Sequence, residues 1–152
     1  MLETYRELLR ALAGLLQLDP AELALTQELA CGDLSVGLQY MGDGKVGDIV
    51  WFCDLGAPPP DQAAETWRLL LEANALWLGT GGATLGIQQG SDSILMSDRA
   101  ALGSVDAEGL AAALDNFVQV GRFWQRYLKD PRALVQAAVQ AVRDSGLRPT
   151  GF

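Results

Sequence analysis

The sequence predicts an α+β domain, an antiparallel sheet packed by helices in the order α-β-β-β-α-β-β-α with an extra C-terminal helix. Three observations predict it. Tyr5, Leu8, Leu9, Leu12, Leu15 and Leu16 recur at spacings of three and four, the apolar stripe of an amphipathic helix of about fifteen residues. Leu34, Val36, Leu38 and Tyr40 then alternate with Ser35, Gly37 and Gln39, the period of a strand with one covered face. From Asp106 the longer spacing returns: Leu110, Leu114, Phe117, Val120 or Gly121, Trp124 and Leu128 fall on one side of a long helix.

The elements follow in order. The first helix stops at Leu18-Asp19-Pro20, because proline cannot continue a helix and biases the residue before it away from helical geometry. Residues 21–32 read equally as a short helical turn or as a first edge strand. After the strand from Leu34, Met41-Gly42-Asp43-Gly44-Lys45 turns the chain into a run from Val46 to Leu55. That run carries Ile49, Trp51, Cys53 and Leu55 on one face and Val50 and Phe52 on the other, so both faces are apolar. Either a helix or a partner covers the second face. Pro58-Pro59-Pro60 forms a stiff connection, and Asp61 caps or begins the next helix, predicted over Gln62 to Leu78. Its apolar surface is wide: Trp67, Leu70 and Leu71 lie along one stripe, while Leu69, Leu76 and Trp77 extend it.

Gly79-Thr80-Gly81-Gly82 stops that helix, and Ala83 to Gln88 and Ser93 to Ser97 form two short strands around the turn Gly90-Ser91-Asp92. Asp106 caps the long helix, with Val105 and Leu110 placed to staple its start. Asp130-Pro131 opens a last helix bearing Leu134, Val135, Ala138, Val139 and Val142, closed by Gly146. The organisation expected is one α+β domain over residues 1–128, with residues 129–152 as an additional C-terminal helix and tail.

Composition narrows the function. With 152 residues, 49% apolar and 20% charged, the chain has the makings of one folded core. Nineteen acids against eleven bases give a net charge of −8, which repels phosphate and argues against nucleic acid and anionic membranes as partners. The same charge could serve solubility alone. Two cysteines and no histidine rule out a disulfide framework and leave no zinc set, general-base histidine or histidine pH switch; Cys31 and Cys53 read as reduced packing or loop residues. Glu3, Arg6, Glu7 and Arg10 interrupt the leucine-rich start, so it does not read as a signal peptide. No run reaches the ~18 apolar residues of a membrane span, and a cytoplasmic protein is expected.

The glycine-rich loop at residues 79–86 follows a helix and opens a strand, the reverse of a phosphate loop, and lacks the Gly-Lys-Ser/Thr ending. Its glycines read as a helix stop and close packing. Acidic pairs such as Asp19 with Glu22 or Asp43 with Asp48 lack a nucleophile or metal cluster beside them and read as solvated surface. No cofactor and no enzyme activity are expected.

The succession Leu-Leu-Glu-Ala-Asn, Leu-Gly-Ile, Ile-Leu-Met and a helix ending Phe-Trp-Gln-Arg-Tyr-Leu resembles the Tir-chaperone, or CesT-type, family of type III secretion chaperones over residues 1–128. The resemblance favours a strand within residues 21–32. It implies a cytoplasmic homodimer that binds the N-terminal region of secreted effector proteins and keeps it extended for export without ATP, with contact to the secretion apparatus as a further expectation. On that pattern Leu8, Leu12 and Leu15, with Val36, Leu38, Val50 and Phe52, are the expected partner-binding residues. Trp67, Leu70, Leu71 and Asn74 are the expected dimer contact, Asn74 alternatively bonding a nearby backbone. A second reading is a regulatory protein that sequesters a secretion or transcription control factor through the same surface. An enzyme or small-molecule binder would need a closed pocket of converging polar groups.

Overall fold

A computed structural model of the protein describes residues 1–130 and residue 132. The element order is α1 (Leu2–Leu16), α2 (Pro20–Thr26), β1 (Glu28–Cys31), β2 (Leu34–Gly42), β3 (Gly47–Asp54), α3 (Ala63–Asn74), β4 (Thr84–Ile87), β5 (Ile94–Ala101) and α4 (Ala107–Lys129). The expected α+β architecture is present. The predicted last helix lies outside the described residues.

All strands pair antiparallel in the order β1-β2-β3-β5-β4, which leaves β1 and β4 as the two edges. The period-two reading of β2 and β3 holds: Leu34, Val36, Leu38, Ile49, Trp51, Cys53 and Leu55 are buried beneath the helices. They meet Tyr5, Leu8, Leu9, Leu12 and Ala13 of α1 and Leu110, Leu114, Phe117 and Trp124 of α4 in a single core. Of the alternatives Val120 and Gly121, glycine faces the sheet. A Cβ there would stand 3.0 Å from Leu34 Cδ2 and 3.2 Å from Met96 Cε, so the missing side chain lets α4 approach. Asp106 caps α4 as expected, accepting from the Gly109 N–H at 2.8 Å.

Residues 21–32 contain both alternatives in succession. Gln17 closes α1 in the left-handed conformation, Asp19 accepts from the N–H of Ala21 at 2.8 Å, and Pro20 takes the first position of α2. Proline therefore starts a second helix as well as excluding the first. Asp61 neither caps nor joins α3; it sits in a 3-10 turn, Pro60–Gln62, and pairs with Arg132 at 3.8 Å.

The predicted helix 62–78 is shorter than its apolar pattern. It ends at Asn74, and a 3-10 turn, Ala75–Trp77, follows with Leu76 and Trp77 both at positive φ. The cause is tertiary. Asn74 turns its amide onto the backbone of β4, eleven residues on. Leu71, Leu76, Trp77 and Leu78 are 72%, 79%, 58% and 86% exposed in the single chain.

Candidate functional site

In an antiparallel pair, alternate residues turn their N–H and C=O away from the neighbouring strand, so an edge strand presents half its backbone groups outward. At the β4 edge, Gln88 N–H bonds Ser93 O at 2.9 Å, and alternation then puts Leu85 in an unbonded pair with Met96, its backbone groups facing out. Asn74 takes both: Nδ2 donates to Leu85 O and Leu85 N–H donates to Oδ1, each at 2.8 Å. This side-chain amide stands in for part of a neighbouring strand.

Among the described residues the β1 edge has no such plug. Leu38 N–H donates to Gln27 O at 2.7 Å, so alternation places Leu29 and Cys31 in bonded pairs with β2 and turns the backbone groups of Glu28 and Ala30 outward. Beside this edge runs an apolar furrow. Its floor is Leu29, Leu114 and Val118, all buried, and its rim is Leu16, Leu18 and Arg122, all exposed. That section encloses 420 Å³, and a 220 Å³ section sharing Leu18, Leu29 and Ala30 continues along α2 past Asp19, Glu22 and Glu28. Leu25 projects from α2 nearby in the sequence, 84% exposed.

Among the described residues the opposite face of the sheet is open. Phe52, Val50, Leu95 and Ser97 are half-buried there, and Phe52 and Leu95 line a groove of 580 Å³ that also takes in Gln39, Asp54 and Gln88. Phe52 lies flat on Gly37, its cross-strand partner: a Cβ at Gly37 would come within 2.6 Å of the ring. Polar side chains flank it, with Asp54 accepting from the Ser93 hydroxyl and Glu28 from that of Ser35.

The expected partner-binding residues divide by burial. Leu8, Leu12, Val36 and Leu38 are buried in the single chain, on the face that helical or strand periodicity marked as covered. Leu15 is exposed at the end of α1, and Val50 and Phe52 are half-exposed on the open face. Among the expected dimer residues, Leu70 is buried, Trp67 and Asn74 are half-buried and Leu71 is exposed. The amide of Asn74 is committed inside the subunit, as the nearby-backbone alternative held. None of the residues expected to bind a partner lines the furrow beside β1. The signal available was Asp19-Pro20, a cap and first-position pair that starts a helix and frees the following residues for an edge strand.

Titration adds one contrast. Burial, with smaller effects from the charges of Asp54 and Cys31, pushes the Cys53 thiol up to about 12, so it stays protonated at neutral pH; Cys31 is half-exposed beside the furrow. Among the described residues no group of three or more His, Cys, Asp or Glu is placed to hold a metal ion, and no helix is long and apolar enough to cross a membrane. The glycine-rich loop packs against α4: the Asn116 amide donates to Gly81 O at 3.3 Å and the Trp124 indole to Gly79 O at 3.0 Å.

Comparison with known proteins places this geometry. No curated protein matches the chain. Its fold is similar to that of the ExsC-ExsE complex, with a TM-score of 0.56 at 17% identity over 83% of this chain and 94% of that one. It is similar also to the HopA1-SchA chaperone-effector complex, with a TM-score of 0.54 at 15% identity over 81% and 94%. A third similarity is to the Yersinia pestis type III secretion chaperone SycH in complex with a stable fragment of YscM2, with a TM-score of 0.50 at 18% identity over 79% and 98%. At these identities the likeness is one of fold. The sequence model of the Tir chaperone protein (CesT) family matches residues 7–125, most of the chain, and the protein belongs to that family.

Proposed function

We propose that this protein binds the N-terminal region of a type III secreted effector and holds that segment extended and competent for export, in the cytoplasm and without ATP. One observation carries the reading: an unplugged strand edge lies beside a furrow with a buried apolar floor. An extended segment can bond the outward groups of Glu28 and Ala30 and place alternate side chains against Leu29, Leu114 and Val118. Contacts of this kind offset the entropy of ordering the client locally, so no nucleotide is needed to hold it. The packing of the glycine-rich loop on α4 supports the nucleotide-free reading.

The exposed Leu71, Leu76, Trp77 and Leu78, with Ile87 at 58% exposure on β4, form the surface through which two copies pair. So many protruding apolar side chains call for a permanent cover, and a two-fold axis provides one from the same sequence. Trp67 flanks it. Leu15, Val50 and Phe52 remain secondary contacts for longer clients.

The test is co-expression with the N-terminal region of a candidate effector encoded beside the chaperone gene, followed by size exclusion and hydrogen-exchange measurement. A stable complex in which β1 and the C-terminal end of α1 gain protection supports the reading. Capture of a folded control factor with those segments unprotected would support the sequestering role instead.

A further inference from the structure

The furrow is electrically polar along its length. At the start of β1 it is walled by Asp19, Glu22 and Glu28. At the far end of β1, Arg122 donates to Cys31 O at 3.1 Å, and α4 continues with Arg126 and Lys129. Arg126 lines a further 490 Å³ hollow that joins the furrow at Arg122, and Lys129 stands 3.9 Å from Asp33 in the β1–β2 turn. Asp33 is the single acid lining this hollow. Along α4 the sign changes between Asp115, which accepts from Gln119 at 2.8 Å, and Arg122, a distance of about 10 Å by helical rise. Along β1 the same change from Glu28 to Cys31 also spans about 10 Å of strand.

We propose that this gradient selects the client by charge order: a strand with an acidic residue toward its N-terminus, apolar residues at alternate positions, and a basic residue about four positions later. The direction follows from pairing. Every strand pair in the sheet is antiparallel, and a client added antiparallel to β1 lays its N-terminal side beside Cys31 and Arg122 and its C-terminal side beside Glu22 and Glu28. In the reverse order acid would meet Glu22 and base would meet Arg126. This inference rests on the furrow being the client site.

The experiment uses the full-length protein and two blocked, labelled nonapeptides of identical composition. One reads Ser-Thr-Glu-Leu-Ser-Val-Lys-Thr-Ser, with the lysine four positions after the glutamate; its twin exchanges these two charged residues. Fluorescence anisotropy at low salt is expected to show about fivefold tighter binding of the acid-first peptide, a preference fading near 0.5 M salt because the charges are exposed. The double variant Glu22→Lys with Arg126→Glu, both on exposed helical surface, is expected to prefer the twin. Equal binding of both peptides, or a preference for the twin by the unaltered protein, overturns the charge order while leaving the furrow as client site. If neither peptide binds and an effector complex forms without protecting β1, the furrow reading fails, and the charge order with it.

Discussion

At one edge of the sheet Asn74 commits both ends of its amide to Leu85, while at the other Glu28 and Ala30 turn N–H and C=O into a furrow with no strand beside them among the described residues. The two edges carry equal numbers of residues, four in β1 and four in β4, so length does not separate them. Their surroundings do. The β4 edge adjoins an outcrop of leucines and a tryptophan suited to a rigid, folded surface, and its main chain is already answered from within the subunit. The β1 edge adjoins a hollow, where main-chain groups are what a flexible segment lacking side-chain complementarity can still recognise. On the proposed reading, the plugged edge goes with pairing of folded copies and the unplugged one with capture of an unfolded chain.

The largest effect that would break this contrast is on the furrow rim. Leu16→Asp with Leu18→Asp replaces two exposed leucines by charges and is expected to weaken effector binding about a hundredfold, near 2.7 kcal/mol, with little change in Tm. Undiminished binding by isothermal titration would move the client elsewhere, with the open face around Phe52 the next place to look. Asn74→Ala leaves the N–H and C=O of Leu85 unanswered and is expected to cost about 2 kcal/mol in urea denaturation. It should also unplug β4, so aggregation on storage is expected alongside the stability loss. A variant as stable as the parent would show that solvent serves Leu85 equally well.

Ala30→Pro acts on the open edge alone, removing one outward N–H, a change an edge strand tolerates. Client affinity should fall about tenfold, or 1.4 kcal/mol, at nearly unchanged Tm. The smallest effect is a reporter. At pH 8 Cys31 should alkylate at least about ten times faster than Cys53, whose raised pKa keeps it protonated until far more alkaline conditions, and bound client should slow Cys31 only. Equal rates measured by mass spectrometry would mean that the sheet opens on the labelling timescale.

Much of this fold was legible from residue spacing. The alternation of β2 and β3, the α1 stripe, the α4 face and the Asp106 cap all depend on local periodicity or on side-chain chemistry within one turn. The end of α3 was not, because the group that ends it is a β4 backbone no local rule can see. The furrow was illegible for a related reason: Leu18, Leu29 and the α4 residues Leu114 and Arg122 come from three separate segments and meet only in the folded chain. Periodicity showed which faces of α1 and β2 are covered, and Leu8, Leu12, Val36 and Leu38 are covered by their own domain. Apolar spacing identifies a buried face without saying which molecule buries it.

The recess around β1 has a further consequence for solutions of the free protein. Residues of α1 and α2 flank the strand on one side and α4 on the other, while Glu28 and Ala30 on the strand itself stay exposed. Bare outward N–H and C=O groups on an exposed edge are also what a second copy of the sheet could pair with. A bound client would therefore mask the groups through which free molecules could otherwise associate edge to edge.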